Sequence, residues 1–180
     1  MRLDAIIILA VLIIIVLCIL YFPIFFRLKR KGTPFFRQVS YILFIWSIAM
    51  IIFATIFFMM PNNFSPEMRT VNLIPFIWLR DGINYRIEIF ESIFNVLMFV
   101  PFGFFLPLVF KKCRQFSTTL GIAFLFTLTV ESTQFFIGRI ADVDDIITNV
   151  LGALIGYGFF KCLNGLLKDL SGWTKIIGEK

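Results

Sequence analysis

Histidine is absent from the 180-residue chain. That excludes a histidine-based nucleophile relay, a histidine general base and a histidine metal site. Charge is also scarce, at 16% of residues against 59% hydrophobic ones. A soluble domain of this length carries about a quarter charged residues and close to half apolar ones. The composition is that of an integral membrane protein with essentially one lipid-embedded domain. Cysteine is limited to Cys18, Cys113 and Cys162. No CxxC pair or disulfide framework is present, and no metal or cofactor motif is visible. Plain thiols fit all three, with lipidation of Cys113 beside Lys111 and Lys112 as the alternative. No internal repeat or low-complexity segment breaks the chain. The net charge of +6 does not call for nucleic acid, because the basic residues gather at the ends of apolar runs.

Those runs set the architecture. A helix needs about 20 apolar residues to cross the hydrocarbon core. Ala5 to Phe26 is the first such run. It is too long for a removable signal peptide, Asp4 offsets Arg2, and no A-x-A site follows. A basic block from Arg27 to Arg37 comes next. The second span reads Val39 to Met60 and ends at Pro61-Asn62-Asn63. An outer loop, 61–88, carries the apolar patch Asn72 to Leu79, too short to span and suited to an interfacial or re-entrant position, with Trp78 at the headgroups. Asn63-Phe64-Ser65 matches a glycosylation sequon close to the membrane. The third span, Ile89 to Phe110, contains Pro101 and Pro107, which kink helices. The fourth is Ser117 to Ile137 and the fifth Asp144 to Phe160. In the tail, 164–180, Leu166, Leu170, Trp173 and Ile177 have the spacing of an amphipathic helix on the inner surface.

Charge orients the bundle. Twelve of the 17 Lys and Arg residues fall after the first, third and fifth spans, and only Asp169 and Glu179 of the 11 acids join them. The positive-inside rule then places the N-terminus outside and the C-terminus inside. The expected fold is an all-α polytopic membrane bundle of about five transmembrane helices. It divides into a first helix with its basic loop (1–38), a four-helix membrane domain (39–163) and a cytoplasmic tail (164–180).

This topology brings the unusual polar residues to one level, near the outer surface. Glu91, Ser92 and Asn95 begin the third helix. Glu131 and Gln134 lie near the outer end of the fourth, Arg139, Asp142, Asp144 and Asp145 fill the next turn, and Asn149 is one turn into the fifth. Asn72 lies in the loop above. Ionisable residues inside a membrane are costly and read as functional by default. Asp142, Asp145, Asn149, Gly152 and Gly156 are spaced 3, 4, 3 and 4 and share a helix face, with Asp144 and Thr148 opposite. Gly152 and Gly156 form a GxxxG seam for close helix packing within the bundle. Glu131 sits roughly 9 Å below the boundary at 1.5 Å per residue. Arg139 is its natural partner, an arginine of the long loop the second choice, and a protonated neutral Glu131 the third. Structural roles compete with these readings. Asp142 and Asp145 suit a helix cap, Glu131 with Arg139 suits an ion pair, and Asn95 and Asn149 suit interhelical hydrogen bonds worth about 0.6 kcal/mol each.

Several separated motifs carry a family resemblance. Asn72-Leu-Ile-Pro-Phe76 precedes Asn95-Val-Leu-Met-Phe-Val-Pro-Phe-Gly-Phe-Phe-Leu-Pro107. Then follow Glu131-x-x-Gln134, Arg139, Asp142-x-Asp144-Asp145 and Asn149-x-x-Gly152-Ala-x-x-Gly156-Tyr157. This order and spacing, over about Val71 to Tyr157, resemble the VanZ-like family of small bacterial membrane proteins. The resemblance implies a multi-pass protein of a bacterial cytoplasmic membrane. The family's namesake is associated with low-level resistance to teicoplanin, a glycopeptide that acts outside the membrane on cell-wall precursors. The expected function is an outward-facing polar site formed by Glu131, Gln134, Arg139, Asp142, Asp145, Asn149, Asn95 and Asn72. It would bind or shield an envelope component, a lipid-linked precursor or the antibiotic. The alternatives are a membrane enzyme using Glu131 with Asp142 or Asp145 on an envelope lipid, and a small transporter or flippase. No nucleophile-plus-base pair is visible for the enzyme, and no polar path crosses a single monomer for the transporter.

Overall fold

In this computed structural model, residues 3–58, 70–77, 79 and 85–179 are described. Trp78, the Asn63-Phe64-Ser65 sequon, Arg69 and Arg80 lie outside them. The helices are α1 (Leu3–Arg30), α2 (Phe35–Ile52), α3 (Tyr85–Val109), α4 (Phe116–Phe136), α5 (Val143–Leu167) and a short α6 (Ser171–Ile177). A π-helical stretch, Phe53–Phe58, continues α2, and a 3-10 turn, Lys111–Arg114, links α3 to α4. Lipid offers the backbone no hydrogen-bond partners, so apolar runs of this length fold as helices that satisfy themselves. Four helical segments among the described residues are long and apolar enough to span a membrane: Phe35–Thr55, Arg86–Val109, Phe116–Phe136 and Val143–Leu167. Their exposed side chains include Leu97, Leu125, Leu151 and Phe159, apolar surface that water would penalise and lipid accepts. The fold is therefore the all-helical membrane-type bundle expected.

Glycines end two helices where the chain must reverse. After α1, Gly32 adopts φ 73°, and the N–H groups of Thr33 and Gly32 return to Leu28 O and Lys29 O. After α4, Gly138 adopts φ 84°, and Arg139 and Gly138 return to Gln134 O and Phe135 O. Both are Schellman-type ends that satisfy the last carbonyls of a helix.

The bundle is built around the α3–α5 pair. A Cβ added to Gly152 would fall on Val96 O, one on Gly156 on Val100 O, and one on Gly103 on Ala153 O. The backbones thus meet with no side chain between them. Lipid is as apolar as leucine, so such close packing and polar bonds replace the hydrophobic effect as the force between helices. Phe99, Phe102, Leu106, Ala123, Val130 and Ile51 fill the core beside this seam. The short strands β1 (Val71–Asn72) and β2 (Ala141–Asp142) pair in parallel, with Val71 opposite Ala141 and Asn72 opposite Asp142. This ladder ties the long loop to the α4–α5 turn.

The tail differs from the expected single amphipathic helix. α5 continues to Leu167, the chain breaks at 168–170, and α6 folds back on the protein. Leu166 is 80% exposed while Ile177 is 1% exposed, so the four apolar residues share no common face. Ile177 packs with Leu108 and Phe160. The cause is a long-range latch. Arg37 Nη1 donates to Ile176 O at 2.8 Å and Arg114 Nη2 to Ile177 O at 2.6 Å, and Arg114 pairs with Glu179. Cations suit the negative end of a helix. The latch also gathers the start of α2, the α3–α4 link and the tail at one end of the bundle.

Candidate functional site

The opposite end holds the polar groups, and each element contributes through a local reason. Asp142 precedes α5 and caps it, its Oδ1 accepting Asp144 N–H at 2.9 Å. Its Oδ2 accepts Asn72 Nδ2 at 2.9 Å, so one carboxylate both starts a helix and anchors the loop. Asn72 Oδ1 takes Ile74 N–H at 3.1 Å. The loop then reaches Phe76, a non-glycine residue at φ 53°, whose N–H donates to Asp144 Oδ1 at 2.8 Å. From α3, Asn95 Nδ2 donates to Asp145 Oδ1 at 2.7 Å. From α4, Glu131 Oε2 accepts Asp142 N–H at 3.3 Å. Deeper, Asn149 Nδ2 donates to Thr127 Oγ1 at 2.9 Å.

Glu131 and Arg139 do not form the expected ion pair among the described residues. The Gly138 turn directs Arg139 toward α2, where Arg139 Nη1 and Gln134 Nε2 both donate to Thr55 O at 3.1 Å. That carbonyl lies in the π-helical stretch. Such stretches occur disproportionately at functional sites.

Two cavities follow from this arrangement. The outer one is open, about 540 Å³, and lined by Glu88, Glu91, Asp142, Asp144 and Asp145 together with Arg139. Among its described lining residues, five carboxylates thus face one guanidinium. The inner one is about 10 Å³ and lies among Asn95, Glu131, Gln134, Asp145 and Asn149, with Glu91, Arg139 and Thr55. Its inner wall is deeply buried, with Glu131 3% and Asn149 1% exposed, and Glu91 stands exposed on its outer side. No group of three or more His, Cys, Asp or Glu among the described residues is placed to hold a metal ion.

All eight residues singled out from the sequence fall in this one region, divided by depth. Asn72 and Asp142 form the strap, Arg139 and Asp145 bridge the two cavities, and Asn95, Glu131, Gln134 and Asn149 line the inner one. Three contributors were missed. Asp144 was set on the opposite face, yet it is buried and holds Phe76. Thr127 precedes Glu131 and Gln134 by four and seven residues, a helical spacing that would have placed it with them. Thr55 contributes only a main-chain carbonyl, for which no side-chain signal exists.

The profile described as VanZ/LLP1 matches residues 41–164. Protein VanZ of Enterococcus faecium is 35% identical over 75 residues, which is 41% of this chain and 46% of that protein. The match thus spans less than half of that relative. No solved structure matches.

Proposed function

The chain belongs to the VanZ/LLP1 family, and on that premise we propose that it binds or shields a cell-envelope component at an outward-facing polar site in a bacterial cytoplasmic membrane. The observation that carries this reading is the open acidic cavity at the end of the bundle opposite the arginine latch. Basic residues remain on the cytoplasmic side of a membrane. The end bearing Arg37, Lys111, Lys112 and Arg114 therefore faces inward, and the cavity faces the space where cell-wall precursors are exposed. The namesake's link to teicoplanin, a drug that acts in that space, agrees with this orientation.

Each wall residue has a role in the reading. Arg139 supplies a cationic contact at the rim, Asp145 and Glu91 supply anionic ones, and the Asn72–Asp142 strap holds the loop over the cavity. The test is expression of the chain in a susceptible host lacking it, with glycopeptide and lipid-targeting agents compared. Wild type should shift susceptibility to at least one agent. Arg139→Ala and Glu131→Gln should abolish the shift at unchanged membrane level. Full activity of both variants would refute the reading.

A further inference from the structure

The inner cavity has a donor and acceptor balance that points to the kind of group it receives. Its volume, about 10 Å³, is close to the smallest space that holds one water molecule. Each amide nitrogen around it already donates once to the protein: Asn95 Nδ2 to Asp145, Gln134 Nε2 to Thr55 O, and Asn149 Nδ2 to Thr127. Acceptor atoms on the wall are left open. Asn149 Oδ1 is fully buried and has no hydrogen-bond partner. A buried acceptor left this way costs about 1–3 kcal/mol. Glu131 and Asp145 each use one oxygen in the bonds above and keep a second.

We infer that this inner cavity is a socket for an aliphatic primary ammonium group, with the outer cavity taking the rest of the ligand. The inference rests on the binding-site reading above and names the chemistry that site selects. An ammonium tip supplies three N–H donors and a positive charge on a compact head. A guanidinium is too broad for the socket. A quaternary ammonium has no N–H to give Asn149 Oδ1. Glu91, Arg139 and Asp145 line both cavities, so the socket lies against the open cavity, and the carboxylates of Glu91 and Asp145 offset the Arg139 guanidinium where the two meet. Amino-bearing envelope components and amino-headgroup lipids share this chemistry.

The test uses the full chain in phosphatidylcholine nanodiscs, with ethanolamine as probe and choline and ethylene glycol as controls, read by thermal melting and titration calorimetry. Ethanolamine should raise the melting temperature saturably, and the controls should not. Glu131→Gln and Asn149→Ala should each weaken ethanolamine about tenfold or more, the loss of one hydrogen bond to a charged group. If either folds poorly, Asn149→Asp, which keeps the acceptor, should still bind. Adding phosphatidylethanolamine to the nanodisc identifies the source. Loss of the ethanolamine response indicates a lipid headgroup, and an unchanged response a soluble amine. No ethanolamine response in either bilayer, an equal response to choline, or stabilisation by sodium that ethanolamine does not reproduce would overturn the inference. If Arg139→Ala or Glu131→Gln still abolishes the drug phenotype in that case, only the ligand class falls. If neither does, the binding-site reading falls as well.

Discussion

Replacing Gly152 by alanine adds one methyl where α5 touches α3. The new Cβ would land on Val96 O, and the nearest atoms are all backbone. No side chain can turn aside, so the helices must separate. Overpacking of this kind typically costs about 1–3 kcal/mol. Alanine recovers up to about 1 kcal/mol in helix propensity over glycine, and a net loss of up to about 2 kcal/mol remains. For a chain of this size that lowers the melting temperature by up to roughly 8 °C. Gly156→Ala meets Val100 O and should behave alike. Gly158→Ala, on the same helix with nothing within 4 Å, gains the propensity and loses nothing. Thermal unfolding of the three variants in one detergent checks the order. The site should respond too, because Val96 follows Asn95, whose amide holds Asp145. If Gly152→Ala and Gly156→Ala melted with Gly158→Ala, the close α3–α5 seam would be refuted.

Other outcomes follow from single contacts. Asp142→Ala removes both the α5 cap and the Asn72 bond and should cost about 0.5–2 kcal/mol. Asp142→Asn keeps a cap but can satisfy only one of the two donors, so the loop should become protease-sensitive with a smaller loss of stability. Arg37→Gln removes the bonds to Ile176 O and Val109 O, and trypsin should then cut at Lys168 and Lys175 faster while the polar site stays intact. Burial pushes the Cys113 thiol above its ordinary range. It should therefore alkylate more slowly at neutral pH than an unburied thiol, with the rate rising only at higher pH as the thiolate forms.

What could be read from the residues divides along physical lines. Helix positions followed hydropathy, because the bilayer's demand on the backbone is visible one residue at a time. Ends were less certain. α1 runs on through the basic block to Arg30, and α5 passes Phe160 to Leu167, since helices continue past the lipid boundary until a glycine or a loop stops them. The 3-4-3-4 spacing of Asp142, Asp145, Asn149, Gly152 and Gly156 located the polar mouth and the glycine seam, both consequences of helical period. Pairings did not follow from period. Arg139 was expected on Glu131, yet the Gly138 turn sends it to a carbonyl 84 residues away. Asp144 looked peripheral until the loop came down on it. The tail's fold depends on Arg37, 139 residues from its acceptor, a distance over which local pattern carries no information.

The central claim is that the acidic cavity opens away from the cytoplasm, and cysteine accessibility in intact cells tests it most directly. Ile140, exposed on the turn lining the cavity, and Lys112, exposed on the α3–α4 link, are each replaced by cysteine in a chain whose own three cysteines are serine. A membrane-impermeant maleimide is then applied before and after permeabilisation. The account predicts that Ile140→Cys labels in intact cells and Lys112→Cys only in permeabilised ones. Labelling in the reverse order would contradict it, placing the cavity in the cytoplasm, where no envelope ligand could reach it.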